Sequence, residues 1–436
     1  MTIAKKNSLW VAFAILLFLF ITLKTGASQE LSRAALEETA KQFFQNIIDG
    51  KEANAFQGFA MSDTMRSWIQ TNKPKDVGQS LRRQYGEAGE LQKTEIIQHD
   101  PQTRSVELFY SGKTKSFKIR VSFKENQIVG FHHFPWTDER SHGGTPIQLE
   151  TPTGTLYGTL LTPEADKPVP IVLFLAGSGQ TDRNYNQPTL HTDAFRMLAE
   201  SLQQSGIASV RFDKRGVGAS AETGADESKL RFEHYVEDAV RWIDFLSQEN
   251  KYSKIIVLGH SEGSLVGMLA CLQSEKVNGF ISLCGAGRPI DEVLREQTSS
   301  APKSVQDAFF PILDTWKQGK TVEKVPTELL SLARPSVQPY MISWMKYDPR
   351  SEIKKLTIPT LIVQGATDIQ VSVADADKLS EANPKAKKVV IKDMNHVLKT
   401  CTATTALAQQ SAYTNPKTPL HKDLVPCLTQ FIAGIE

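Results

Sequence analysis

The sequence predicts an α/β protein: a mostly parallel sheet with helices on both faces and a helical cap insertion, preceded by a small α+β domain. Three observations predict it. From residue 169 onward, short apolar strands alternate with helical patterns, the signature of a parallel sheet covered on both sides. Before residue 135 the order differs, with helical periodicity first and then three strand-like runs, as in an α+β unit. Finally, a helical stretch at 288–357 interrupts the strand–helix alternation. A stretch of that length is uncommon as plain loop and reads as a cap over a site.

The N-terminus reads as a leader. Lys5 and Lys6 precede an apolar run at residues 9–23, and Thr25-Gly26-Ala27 supplies a small-x-small cleavage site. Residues 1–27 are therefore expected to be a signal peptide. The mature chain would be exported to the periplasm or secreted, with no stable membrane insertion; the alternative is an uncleaved anchor. The full chain carries a net charge of +2, and removal of the leader, with Lys5, Lys6 and Lys24, leaves −1. Neither value points to nucleic acid. In an exported chain, cysteines can pair. Cys271 and Cys284 lie in apolar segments and read as small buried hydrophobes, whereas Cys401 and Cys427 lie in the polar C-terminal region and are the candidate pair.

In residues 28–135, Leu36, Ala40, Phe43, Phe44 and Ile47 share one helical face, and Asp49-Gly50 stops that helix. A second helical pattern holds Phe56, Phe59, Met65 and Trp68. "SVELFYSG", "SFKIRVSF" and "QIVGFHHF" then read as strands. Residues 136–146, polar and containing Gly143-Gly144, read as a linker. The domain at 147–436 opens with a hairpin, "IQLETPTGTLYGTLLTP". The strands "VPIVLFLAG", "IASVRFD", "KIIVLGH", "GFISLCG", "IPTLIVQG" and "KKVVIKDM" follow, with helices expected at 192–204, 231–248 and 261–274.

The chemistry concentrates at strand ends. In "VLGHSEGS" a strand runs into Gly259-His260-Ser261-Glu262-Gly263 and then a helix, the pattern of a nucleophile elbow. The elbow needs small residues two before and two after the serine, because side chains there would strike the neighbouring strand and helix; Gly259 and Gly263 meet that need. A serine hydroxyl needs a general base, and the base an orienting acid. Asp368 ends one later strand and His396 the next, in the order Ser, acid, His. The candidate triad is Ser261, His396 and Asp368, with Asp393 as a rival acid. Asp375 and Asp377 read as solvated, and His260 as a packing residue. His191, His234 and His421 read as structural or peripheral, and His132-His133 lack metal-ligand spacing.

Backbone N–H donors must hold the oxyanion of an acyl-transfer intermediate. The candidates are Glu262, directly after the serine, and Ser178 in the turn Ala176-Gly177-Ser178-Gly179, with Gly179 as alternate. The Glu262 side chain is expected to pair with Arg183 or Arg215, or to face substrate. Asp213, Arg215, Gly216 and Gly218 read as a scaffold turn. The Gly-x-Gly pairs lack the third glycine and the acidic ribose partner of a dinucleotide site, so no cofactor and no metal is implied.

The motifs "LAGSGQTDRN", "RFDKRGVGAS", "LGHSEGS", "VQGATDIQV" and "NHVLK" together resemble those of the α/β-hydrolase fold over residues 147–436. "GSGQTDRN" with "GHSEGS" is similar to a group of secreted or periplasmic bacterial carboxylesterases, related to prolyl oligopeptidase-type hydrolase domains and to acyl-CoA thioesterases. Members often carry a small N-terminal α+β domain resembling the nuclear-transport-factor-like fold. Ala176 departs from the His-Gly that lipases and esterases often show there. The resemblance implies hydrolysis of a small-molecule carboxylic ester through a serine acyl-enzyme. Its alternatives are a serine peptidase or aminoacyl hydrolase, a thioesterase, and a non-catalytic binding protein.

Overall fold

The structure, a computed structural model, describes residues 31–98, 102–112, 116–135 and 143–436. The leader expected at 1–27 and most of the linker expected at 136–146 lie outside the described residues. Among those described, no helix is long and apolar enough to cross a membrane. The chain forms two compact units, Met1–His133 and Phe134–Glu436.

The first unit packs three helices, α1 (Arg33–Ile48), α2 (Asp63–Asn72) and α3 (Pro74–Tyr85), with a sheet of β1 (Ala88–Gln98), β2 (Thr103–Gly112), β3 (Phe117–Lys124) and β4 (Gln127–Pro135) in the order β1-β2-β3-β4. Ser32 and Ser62 cap α1 and α2 by accepting from Ala35 N–H and Met65 N–H, each at 3.2 Å. The core is aromatic, with Phe43, Phe44, Phe56, Phe117 and Phe123 buried. Four strands are present where the sequence predicts three. None of the residues of β1 is fully buried, so it lacks the apolar alternation that marks a half-buried strand.

The second unit is built on an eight-stranded sheet. Its strands are β5 (Thr145–Thr151), β6 (Gly154–Leu161), β7 (Val169–Leu175), β8 (Ala208–Phe212), β9 (Tyr252–His260), β10 (Gly279–Leu283), β11 (Thr360–Gly365) and β12 (Lys387–Ile391). The order is β12-β11-β10-β9-β7-β8-β6-β5. β5 and β8 run antiparallel to β6, and every other pairing is parallel. β5 starts at Thr145, inside the stretch read as linker. A small hairpin, Asn186–Gln187 with Leu190–His191, lies between β7 and α4 (Ala194–Gln204).

Alternation in β7 shows how the sheet is covered. Ile171, Leu173 and Leu175 enter a core with α5 (Phe232–Ser247) and α6 (Glu262–Leu272), whereas Val172 and Phe174 join α4 on the opposite side. A strand buried on both faces reads as an unbroken apolar run, which is why "IVLFL" was legible. Between β10 and β11, the cap folds as α7 (Ile290–Gln297), α8 (Lys303–Lys317), α9 (Leu330–Ala333), α10 (Gln338–Trp344) and α11 (Pro349–Ile353). Phe309, Leu313 and Trp316 of α8 are buried. The remaining helices are α12 (Val373–Ala382), α13 (Ala406–Thr414) and α14 (Leu424–Ala433). α14 carries Leu424, Leu428 and Ile432 into the same core as α4.

All four cysteines are free thiols, so the expected Cys401–Cys427 bridge is not formed. Each is held by its own segment: Cys401 N–H donates to the Asp393 carbonyl at 2.7 Å, while Cys427 sits within α14.

Candidate active site

The parallel strands end on one side of the sheet, and the candidate residues Ser261, Asp368 and His396 lie just past three of those ends. Ser261 leaves β9 at φ 54° and ψ −120°, in sparsely populated backbone space for a residue with a side chain. The turn closes only because its flanking positions are bare. A side chain at Gly259 would strike the Gly263 carbonyl, and one at Gly263 the Leu175 carbonyl. The serine thus stands at the N-cap of α6, where the helix dipole favours developing negative charge.

β11 and β12 deliver the other two residues. Asp368 Oδ2 lies 2.7 Å from His396 Nδ1. Asp368 Oδ1 accepts from Gln370 N–H at 2.8 Å and Val371 N–H at 2.9 Å, and Gln364 Nε2 donates to Oδ2 at 3.0 Å. Burial opposes a charged Asp368, but His396 and the two backbone donors outweigh it and hold the carboxyl below its usual range. An ionised acceptor on Nδ1 leaves Nε2 of His396 free to act on a neighbouring hydroxyl. Asp393 is placed differently, at φ 59° in the turn after β12, and Asp368 is the carboxylate paired with the imidazole.

His260 braces this pair. Its Nε2 lies 2.9 Å from the His396 carbonyl, an acceptor only, so Nε2 carries the proton. The two rings meet edge-on at 4.7 Å. Burial first, then the adjacent His396, lower His260 to about 3, which keeps it neutral and removes it as a base. Cys284, following β10, is fully buried. Burial and then the Asp368 charge hold its thiol well above its ordinary range. His260, Cys284 and His396 present donor atoms within 4.8 Å of one another.

The loop after β7 lies against the elbow: a Cβ at Gly177 would come 3.1 Å from Ser261 Cβ. Neither the Ser178 N–H nor the Glu262 N–H has a hydrogen-bond partner among the described residues. The Glu262 side chain pairs with neither expected arginine. Arg183 binds Asp213 at 2.8 Å and Arg215 binds Asp238 at 2.5 Å. Glu262 instead pairs with Lys214 at 2.9 Å. Lys214 and Arg215 are adjacent in sequence, and the turn geometry that sends their side chains in different directions is not encoded in the composition of "FDKRG". The turn is nevertheless a scaffold, since Asp213 also accepts from Arg183 N–H and Ala219 N–H, each at 2.9 Å.

Asp375 also departs from expectation. It is buried rather than solvated, accepting from Gly287 N–H at 3.0 Å and from Arg288 at 2.9 and 2.7 Å. The first turn of α12 faces the start of the cap, and the arginine that neutralises Asp375 lies 87 residues away in sequence. Asp377 pairs with Lys388 at the surface. Among the histidines, His234 caps α5 by accepting from Arg231 N–H, His133 meets the Tyr85 hydroxyl and His421 is buried.

Between these loops and the cap lies a cavity of about 270 Å³. Ser178, Ser261, Glu262 and Leu265 form its floor; Ile290, Val293, Leu294, Phe309, Leu332, Tyr340, Met341 and Trp344 line it from the cap. The lining is mostly apolar, with Arg288, Gln297, Arg334 and Gln370 among its polar members, a mixture found in small-molecule sites.

The family model described as serine aminopeptidase, S33, matches residues 189–351. That segment contains Ser261 and ends before Asp368 and His396. Esterase EstD of Thermotoga maritima is 28% identical over 251 residues, covering 56% of this chain. The chain spans 58% of that esterase's length. Among solved structures, Est1E from Butyrivibrio proteoclasticus with bound ferulic acid is 16% identical and covers 66% of this chain and 98% of its own, with a TM-score of 0.45. The Pyrococcus furiosus esterase Pf2001 is 15% identical and covers 68% and 93%, with a TM-score of 0.44. The strand order and the strained elbow at Ser261 give Phe134–Glu436 the α/β-hydrolase fold, and the matched segment lies inside it.

Proposed function

We propose that the protein is a serine carboxylesterase acting through Ser261, His396 and Asp368. The observation that carries the reading is the buried Asp368–His396 pair at 2.7 Å, at the same end of the sheet as the elbow serine. His396 Nε2 takes the Ser261 proton as Oγ attacks the acyl carbon. The oxyanion is held by Ser178 and Glu262 N–H. The bond to the alcohol oxygen breaks, and His396 returns the proton to the departing alkoxide. Water, deprotonated by His396, then attacks the acyl-enzyme. The carboxylic acid leaves and the proton returns to Ser261. Asp368 fixes the imidazole tautomer and offsets its positive charge. The apolar cavity favours an apolar acyl group, and the similarity to EstD supports an ester over an amide. No step uses a cofactor or metal. The sequence of residues 1–27 supports action outside the cytoplasm, and residues 28–135 are proposed as a separate domain.

The test is turnover by the purified chain of p-nitrophenyl acetate, butyrate and octanoate beside aminoacyl p-nitroanilides. Esters are expected to exceed amides, and Ser261→Ala to lose about 10⁴-fold or more in kcat with the fold intact. Amide preference would favour the aminopeptidase activity that the matched family is named for. Full turnover in Ser261→Ala would overturn the reading altogether.

A further inference from the structure

We infer that Lys214 is a positioning residue that sets both oxyanion donors at once; the inference rests on the esterase reading above. Lys214, in the turn after β8, is 5% exposed. Its Nζ donates to the Gly177 carbonyl at 2.9 Å and to Glu262 Oε1 at 2.9 Å. It also lies 4.3 Å from the centroid of the Tyr235 ring.

These two acceptors bear directly on the donors. The Gly177 carbonyl and the Ser178 N–H belong to one peptide plane, and in a trans peptide they point in opposite directions. Anchoring the carbonyl on a buried ammonium therefore aims the Ser178 N–H away from Lys214. Rotating that peptide would turn the N–H from the site and put a carbonyl oxygen in its place. Gly177 has no side chain to resist such a flip. The other hold on its carbonyl is the Thr181 hydroxyl at 3.5 Å, which lies closer, at 3.0 Å, to the Ser178 carbonyl. The second acceptor belongs to the residue whose own N–H is the other donor. Lys214 thus ties the loop after β7 to the first turn of α6 through one cation. A charge-assisted pair, removed from water, is stiffer than the neutral bonds around it.

Kinetics on the full chain with p-nitrophenyl butyrate test this, together with inhibition by an alkyl trifluoromethyl ketone, whose hemiketal oxygen carries the charge the donors hold. Lys214→Met is expected to lower kcat by about 100-fold, the scale of losing an oxyanion donor, while KM moves less than about threefold. The ketone's Ki should rise in step with the loss in kcat/KM. Lys214→Met leaves Glu262 buried alone, so Lys214→Met/Glu262→Leu is the companion variant. Replacing both charges by apolar groups is often neutral for stability. Its kcat should stay low, because the Gly177 carbonyl has still lost the ammonium and keeps only the long Thr181 contact. The comparison uses whichever variant melts within about 5 °C of the wild type. A variant so folded that keeps kcat and Ki within about threefold of the wild type makes Lys214 merely structural and overturns the inference. An inactive wild type, or an active Ser261→Ala, would instead fail the esterase reading itself.

Discussion

The loops at the carboxyl ends of the strands and the helical cap both line one cavity, yet they are built from opposite materials. In the loops, charge is buried and matched: Arg183 with Asp213, Arg215 with Asp238, Lys214 with Glu262, His396 with Asp368. In the cap, the buried positions of α8 are apolar, and pairs such as Lys303 with Asp307 and Arg295 with Asp314 are mostly exposed; Asp291 with Lys317 and Asp375 with Arg288 are the buried carboxylates at its edges. Exposed pairs contribute about 0–1 kcal/mol, whereas removing one member of a buried pair costs about 3–5 kcal/mol. The loops should therefore respond to substitution abruptly and the cap gradually. On the esterase reading, chemistry falls to the over-determined loops and selectivity to the exchangeable side chains of the cap.

The largest effect is expected in the loops. Asp368→Asn keeps the shape of the pair and loses the charge that sets the His396 tautomer, so kcat should fall about 10⁴-fold with KM little changed. A loss under tenfold in steady-state kinetics would move the acid to another carboxylate, Asp393 first.

The next effect is on stability. His260 is lowered to about 3 in the folded chain, while its unfolded value is about 6.5. Below about pH 6.5 the unfolded chain binds a proton that the folded chain refuses, so stability falls as pH drops toward 3 and is unaffected above that window. Asp368, held low, adds a loss in the same direction below about pH 4. The His260 shift alone should remove on the order of 3 kcal/mol between pH 7 and pH 4. In His260→Gln, denaturant midpoints should flatten between pH 6.5 and 4. An unchanged slope would place the acid sensitivity elsewhere.

The smallest effect belongs to the cap. Leu294 faces the cavity from α7. Leu294→Trp should lower kcat/KM for p-nitrophenyl octanoate about tenfold and leave the acetate ester unchanged, since steric exclusion acts on the long chain alone. Equal losses for both esters would blur the division of labour between the regions.

The same contrast explains what could be read from the chain. Strands covered on both faces announce themselves as apolar runs, and the elbow announces itself by its glycines. Ser261, Asp368 and His396 all sit at such strand ends, so their candidacy was legible. Strand β1 was not, because none of its residues is fully buried. The partners of Glu262 and Asp375 were not legible either. Both are neutralised by residues remote in sequence, Lys214 and Arg288, and spacing carries no information about which side of a turn a cation leaves from. His260 reads in sequence as packing. Its hydrogen bond to the His396 carbonyl spans 136 residues and has no local signal.

The most direct measurement is covalent capture. A fluorophosphonate probe incubated with the purified chain, followed by intact-mass and peptide mapping, should give one adduct, on Ser261. That adduct should be absent in Ser261→Ala and strongly slowed in His396→Ala. Labelling at another residue, or equal labelling of Ser261 with His396 removed, would contradict the account.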